Sequence, residues 1–481
     1  MTIRVRFAPS PTGNPHVGNI RSALFNWLLA KKMKGVFILR IEDTDQERLV
    51  EGSLEAIYES LRWLGLNWNE GPEVGGTYEP YIQSQRLALY KQKAQELVEK
   101  NSAYYCFCSE DRLEKLRQEQ TASKLPPQYD GLCKNLSAEE IAEKLQAAEG
   151  EPRHGRDGEK YVIRQNIPKG RILNIPDCIQ GDVEFNTNTL DDTVLLKSDG
   201  FPTYHLANVV DDIAMEITHV IRAVEWLPSL PKHILLYEAF GQRPPQFAHL
   251  PLILGPDKSK LSKRNGAKGI LDLKNEGFIP AGVINALSLL GWSSQKGGNT
   301  DSEVMSVTEI IEKFSLEAVQ KSPAIFDEKK LLYFNAEHLR KLSNEDYLKY
   351  WQEFDSDKNL NLAAVKVVKD RAQTLKEANN IIQTLLNYQK PDRDLISKKE
   401  GTIEVSKIIA WWREWLEQQT NWTAENLRLK SLDYLTENNL AKSEWLWPLR
   451  VIITGQENSP EVFSCLEFLG QDESLKRLKT L

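Results

Sequence analysis

The chain has few cysteines. Only five occur in 481 residues, at positions 106, 108, 133, 178 and 465, an odd and sparse set. That excludes a disulfide framework and fits a reducing compartment. No apolar run approaches the ~18 residues of a membrane span, and the opening Met1-Thr-Ile-Arg-Val-Arg lacks an apolar leader core. The expectation is therefore a cytoplasmic protein with no membrane partner. A basic balance is also missing: the net charge is −7, which argues against non-specific coating of DNA or RNA but leaves room for a shaped partner held by local basic patches. There is no long-period repeat, no low-complexity tract, and no G-x-G-x-x-G dinucleotide fingerprint.

What is present is an ordinary globular composition, 41% hydrophobic and 27% charged, in a chain long enough for several domains. Ile3, Val5 and Phe7 alternate with Arg4 and Arg6, the period of a strand with one polar face. A Pro/Gly/Ser-rich turn runs from Ala8 to Pro15. Ile20, Ala23, Leu24, Trp27 and Leu28 then keep helical spacing. Val36–Ile41, interrupted only by Arg40, is a nearly continuous apolar strand, as expected when both faces are buried. Leu54, Ile57, Tyr58 and Leu61 mark a second helix, stopped by Gly65. This β-α-β-α order predicts a parallel sheet. From about residue 103 to Asp192 the texture changes, as if a domain were inserted. Val194-Leu-Leu and the helix at 231–240 then read as the return of the sheet. Beyond about 340 the chain is helix-rich, and Trp411-Trp412 and Trp445-Leu-Trp447 read as packing anchors.

Two segments carry chemistry. Pro9-Ser-Pro-Thr-Gly-Asn-Pro-His16-Val-Gly18-Asn19 lies between a strand and a helix, the layout of a phosphate site: the helix end offers unpaired N–H groups, Gly13 and Gly18 admit close approach, and His16 adds a donor. The bland alternative is a plain loop with a capping histidine. Leu254-Gly-Pro-Asp-Lys258-Ser-Lys260-Leu-Ser262-Lys263-Arg264 places four cations in seven residues, able to fold over a triphosphate or simply to stay solvated.

Together, Pro-Ser-Pro-Thr-Gly-x-x-His-x-Gly and Lys-Leu-Ser-Lys-Arg resemble the two signatures of class I aminoacyl-tRNA synthetases. Arg-Phe-Ala-Pro-Ser-Pro-Thr-Gly, Arg40-Ile-Glu-Asp-Thr-Asp45, Tyr204-His-Leu-Ala-Asn208-Val-Val-Asp-Asp212 and Val220-Ile-Arg222 resemble the glutamyl branch in particular. The resemblance implies a Rossmann-type α/β catalytic domain in two parts, 1–102 and 193–250. It places an inserted acceptor-binding domain at 103–192, a stem-contact domain at 251–338 carrying the lysine loop, and an all-α anticodon-binding region at 339–481. It implies ATP-dependent glutamylation of tRNA-Glu with Mg²⁺, by a monomer with no DNA partner. Pro9, Gly13, His16, Gly18, Asn19, Lys260, Ser262 and Lys263 would bind ATP, with His16, Lys260 and Lys263 catalytic.

Glutamate carries two carboxylates and one ammonium. Arg6 and Arg222 stand at C-terminal ends of strands, where open α/β sheets bind ligands, and guanidinium forks suit carboxylates. By resemblance, Arg6, Tyr204 and Asn208 would read the side-chain carboxylate, Arg222 the α-carboxylate, and Ser10 with Glu42 the amine. Relatives with Cys-x-Cys and Cys-x-His in the insertion bind structural zinc. Here Cys106, Cys108 and Cys133 are three such ligands, but Asn135 holds the fourth position. Either the site is degenerate, or a group such as Tyr129 or a water completes it, or the thiols are inert. Arg371 and Arg450 match anticodon contacts. Arg371 points to an enzyme that charges tRNA-Glu alone. A non-discriminating form that also charges tRNA-Gln, a shortened relative acting on a tRNA base, a non-enzymatic RNA- or nucleotide-binding module, and a generic nucleotidylyltransferase remain as rivals.

Overall fold

A computed structural model describes residues 2–149, 161–261, 268–294, 303–356, 360–399 and 403–479. The chain divides into two compact units, one made of residues 1–271 and 287–327, the other of 272–286 and 328–481. In chain order the elements of the first part are β1 (Arg4–Phe7), α1 (Val17–Lys32), β2 (Val36–Leu39), α2 (Ser53–Trp63), α3 (Leu87–Glu99), β3 (Ala103–Cys106), α4 (Glu110–Ala122), α5 (Ala138–Glu149), β4 (Val162–Gln165), β5 (Ile172–Asp177), β6 (Gly181–Asn186), β7 (Val194–Leu196), α6 (Tyr204–Ala214), β8 (His219–Ala223), α7 (Leu230–Ala239), β9 (Gln246–Leu250) and β10 (Ile253–Leu254).

Strands β1 and β2 pair in parallel, with Arg6 opposite Ile38. A second sheet has the order β6-β5-β9-β8, with β8 parallel to β9 and β5 parallel to β9. The amide of Thr218, just before β8, donates to the Arg4 carbonyl (2.9 Å), which joins the two sheets edge to edge. Strand β1 is therefore internal. This corrects the expected polar face: Arg6 is only 3% exposed, and Arg4 is held by a two-point contact to Glu70 at 2.8 Å. The apolar run of β2 behaves as its composition requires, with Phe37, Ile38 and Leu39 fully buried.

Three strands lie elsewhere than the sequence reading placed them. Val194–Leu196 pairs antiparallel with β4, in a three-stranded sheet β3-β4-β7, and is not a return to the parallel sheet. Conversely, β5 and β6 come from the nominal insertion yet extend the β8–β9 sheet. Both outcomes follow from long-range pairing, which three to six residues of apolar pattern do not encode.

The remaining elements are α8 (Ile270–Asn275), α9 (Pro280–Ser288), α10 (Val307–Lys313), β11 (Ala324–Ile325), α11 (Glu328–Lys341), α12 (Asn344–Phe354), α13 (Leu362–Val368), α14 (Leu375–Leu386), α15 (Arg393–Ser397), α16 (Val405–Glu417), α17 (Ala424–Glu437), α18 (Lys442–Thr454) and α19 (Val462–Leu478). The second unit is helical among the described residues. Its core includes Trp351, Trp412, Trp445 and Trp447, so the tryptophan clusters serve as packing anchors. The Trp412 indole N–H donates to the Trp445 carbonyl (2.8 Å), satisfying the one polar atom its burial would strand.

Candidate functional site

His16 is the N-cap of α1. Its Nδ1 accepts from the Gly18 amide (3.0 Å), and its own amide donates to Asn19 Oδ1 (3.3 Å). Gly18 has no substitute here, because a Cβ would stand 2.8 Å from the His16 ring. The cap also settles the tautomer: an accepting Nδ1 puts the proton of the neutral ring on Nε2, where it can donate to a phosphate oxygen. His16 thus caps the helix and can also serve as a donor; the two readings of the loop are not exclusive. Gly13 has φ +126°, a conformation that side chains rarely adopt.

The lysine loop is described on both flanks. Leu254 bridges Lys260 on one side, and Gly269 bridges His16 on the other, with the Ile270 amide donating to the Pro15 carbonyl (3.1 Å). The loop therefore springs from the edge of the His16 turn. Lys260 pairs with Glu225, so its charge is not standing open as expected. Ser262 and Lys263 lie outside the described residues.

Beside this turn is a pocket of buried charges. The Glu42 amide donates to the Pro9 carbonyl (3.0 Å), tying β2's exit to the loop that carries Ser10. The Glu42 carboxylate accepts from Arg40 (3.0 Å) and from Asn208 on α6 (3.3 Å). Asp212, also on α6, is shared by Arg6 (3.0 Å) and Arg40 (2.6 Å). Burial alone would raise the Asp212 carboxyl; Arg6 and Arg40 together hold it below the usual range. For Glu42 burial wins over Arg40 and Arg6, and its pKa is raised.

Arg222, at the end of β8 and 6% exposed, is held differently. Its Nε–H donates to His249 Nε2 (3.0 Å). Its Nη1 donates to the Tyr204 hydroxyl (2.7 Å) and toward His233 Nδ1 (3.4 Å), and its Nη2 toward the Trp226 carbonyl (3.4 Å). None of these partners is a carboxylate. The histidines are neutral: burial, and then the Arg222 charge, push His233 far below its ordinary value, and burial, Lys232 and Arg222 bring His205 down to about 4. Burial also lowers His249, against the hydrogen bond it donates to Asp177.

The charges of Arg222, Glu42, Arg6 and Asp212 all act on Tyr204, so the pocket is one electrostatic neighbourhood. The contacts group Tyr204 with Arg222, Asn208 with Glu42, and Arg6 with Asp212. Asp177, His233, His249, Arg40 and Asp212 had been given no role. Arg40 and Asp212 lay inside motifs already singled out, whereas nothing local marked Asp177 or the histidines.

The three thiols converge, with all three sulfurs within 4.8 Å of one another and 3.6 Å between Cys108 and Cys133. Tetrahedral zinc with ~2.3 Å bonds needs sulfurs about 3.7 Å apart, so the set fits. At the expected fourth position, Asn135 makes no hydrogen bond to the cluster. The Tyr129 hydroxyl reaches Cys106 (3.5 Å) and Cys108 (3.4 Å) and accepts from the Cys133 amide (2.9 Å). Hydrogen bonding from Cys133, with Tyr129 and Arg164, lowers the Cys106 thiol against the opposing effect of burial.

In the helical unit, Arg371 and Arg450 line one cavity of about 500 Å³ with Lys366, Lys399, Lys442 and Trp447. The lining holds five cations against the carboxylates of Asp370 and Glu461, a local basic patch in an acidic chain. Arg450 lies over the Trp447 ring at 5.0 Å and Lys399 at 4.5 Å.

Residues 2–333 match the family described as tRNA synthetases class I (E and Q), catalytic domain, and residues 334–481 match an anticodon binding domain. The glutamate–tRNA ligase of Dehalococcoides mccartyi is 44% identical over 99% of this chain and 97% of its own length. That of Clostridium botulinum is 43% identical over 99% and 97%. The crystal structure of a glutamate tRNA ligase from Elizabethkingia meningosepticum in complex with its amino acid superposes with a TM-score of 0.86 at 35% identity, covering 100% of this chain and 99% of that one. The glutamate–tRNA synthetase of Elizabethkingia anophelis gives 0.84 at 36%, with the same coverage. With Gly269, on the flank of the lysine loop, bridged to His16, and full-length likeness in both sequence and fold, the chain belongs to the class I tRNA synthetases of the glutamate and glutamine branch.

Proposed function

We propose that this chain is a glutamate–tRNA ligase, which activates L-glutamate with ATP and passes it to the 3′-terminal adenosine of tRNA-Glu. The observation that carries the reading is Arg222: a buried cation with only neutral partners, in one pocket with Glu42 and Arg6, beside a phosphate-type loop. A buried charge without a counter-ion is costly unless a ligand supplies one.

The contacts orient the substrate. Glu42 is the anion for the ammonium, with Ser10 beside it, and its backbone is bonded to Pro9 of the loop. The α-carboxylate, on the same carbon as the ammonium, then lies next to the triphosphate. The far carboxylate falls to Arg222 and Tyr204, which replaces the family-based assignment of Arg222 to the α-carboxylate. Its weaker contacts, at 3.4 Å to His233 and Trp226, are the ones a carboxylate displaces. Asp212 takes the Arg6 Nε–H and one Nη2–H, which leaves donors on Nη1 for substrate.

In the first step an α-carboxylate oxygen attacks the α-phosphorus of ATP and pyrophosphate leaves. His16, Lys260 and Lys263 stabilise the charge that develops; Mg²⁺, when bound with ATP, would add further charge neutralisation. The terminal ribose hydroxyl of tRNA then attacks the glutamyl carbonyl and AMP leaves. No protein nucleophile is needed; alignment and charge do the work. Cys106, Cys108 and Cys133, with Tyr129 beside them, would hold a structural zinc in the acceptor-binding insertion. Arg371 and Arg450 read the anticodon, in a monomeric, cytosolic enzyme that discriminates tRNA-Glu from tRNA-Gln.

Among the described residues no helix is long and apolar enough to cross a membrane. Charging assays with purified tRNA-Glu and tRNA-Gln test the proposal. Glutamate should be attached to the first only. Charging of both would replace it with the non-discriminating form, and charging of neither would end it.

A further inference from the structure

Three neighbouring strands end in a row of touching side chains. Arg222 and His249 are register partners on β8 and β9, so they project from the same face of the sheet. On the other side of β9, Asp177 closes β5. Asp177 Oδ2 accepts from His249 Nδ1 (2.6 Å), and His249 Nε2 accepts from the Arg222 Nε–H (3.0 Å). Asp177 and His249 are buried. Their alignment is set from behind: Asp177 Oδ1 takes the amides of Ile179 (2.9 Å) and Gln180 (2.8 Å), and Gln180 Nε2 donates to the His249 carbonyl (2.8 Å).

We propose that Asp177 and His249 are positioning residues for glutamate recognition: they hold Arg222 by its Nε–H alone, so that its outer nitrogens are presented to the substrate's side-chain carboxylate. This rests on the reading of Arg222 as a carboxylate ligand. A carboxylate in direct contact with Arg222 would occupy the fork that the substrate needs, as Asp212 partly does for Arg6. Interposing an imidazole keeps the counter-charge one residue away. The carboxylate fixes the proton on Nδ1, which makes Nε2 an acceptor and excludes the tautomer that would oppose one N–H to another. With His233 and the Tyr204 hydroxyl also uncharged, every group packed on Arg222 stabilises the cation without neutralising it.

The test uses steady-state charging by the full chain. Asp177→Asn is informative because the backbone amides keep the amide oxygen in the Oδ1 position. The NH₂ group then faces Nδ1 and drives the proton to Nε2. The Michaelis constant for glutamate should rise about 10- to 100-fold, the effect of a lost hydrogen bond to a charged group, while that for ATP stays within a few-fold. His249→Leu should match it. His249→Gln, whose oxygen can still accept from Nε, should recover most of the loss.

Arg222→Ala is the control for the underlying reading: if it leaves the glutamate constant unchanged, that reading falls. If Arg222→Ala raises it but Asp177→Asn and His249→Leu do not, the positioning role alone is overturned. Equal impairment by His249→Gln and His249→Leu, or parallel loss for ATP, points to packing and overturns it too. Should Asp177→Asn fail to fold, the two His249 variants decide.

Discussion

The two basic regions of this protein use cations in opposite ways. In the pocket proposed for the amino acid, Arg6, Arg40 and Arg222 are almost fully buried, and each is fixed by named partners. In the helical unit Arg371 is exposed and is held through a single backbone carbonyl, that of Ser459. The first arrangement suits a small ligand, whose few charges must meet rigid, desolvated groups. The second suits a long polyanion, for which charge density and adaptable side chains matter more than fixed geometry. One acidic chain can therefore bind nucleic acid: the sum of charges says little when the cations are segregated.

The comparison breaks most clearly at its anions. Asp212 serves two buried arginines, so Asp212→Asn should cost about 3–5 kcal/mol of stability. Glu457→Gln, which loosens the exposed pair with Lys398, should cost less than about 0.5 kcal/mol. Thermal and denaturant unfolding of both variants compares them; similar losses would mean that burial does not separate the two regions.

Next in size, Arg371→Ala should raise the Michaelis constant for tRNA about 10-fold and leave that for glutamate unchanged. Raising salt from about 50 to 200 mM should weaken tRNA binding by a similar factor, since a few phosphate contacts are screened while buried groups are not. Titrations of tRNA and glutamate at both salts check this.

The smallest effect is with pH. The folded His205 has its pKa lowered to about 4. Between pH 7.5 and 5.5 the unfolded chain takes up a proton that folded His205 refuses, so this residue should remove about 1 kcal/mol of stability as pH falls. The loss begins at the unfolded value near 6.5 and saturates near 4. His205→Asn should flatten that slope.

The β-α-β start, Gly65 as a helix stop and the helical second half were readable because each is a local period of apolar residues or a backbone punctuation. The partners of short strands were not: Val194–Leu196 has an apolar pattern compatible with either sheet, and only long-range pairing chose β4. The same limit applies to the site. The pleat predicted that Arg6 points away from Val5, but not that α6 covers that face and meets Arg6 with Asp212. At the thiol cluster spacing left Asn135, Tyr129 and a water as open alternatives, and the chain path puts the Tyr129 hydroxyl against the thiols. His249 sits in an apolar run with nothing beside it to mark its contact with Arg222.

The most direct measurement is the ratio of kcat/KM for glutamate over glutamine, in the native chain and in Arg222→Ala. A pocket built around an unneutralised guanidinium should favour glutamate by about 10⁴-fold or more. The substitution should erase most of that ratio by lowering the glutamate value with little change for glutamine. A ratio left intact by Arg222→Ala would contradict the assignment of Arg222 to the substrate's side-chain carboxylate.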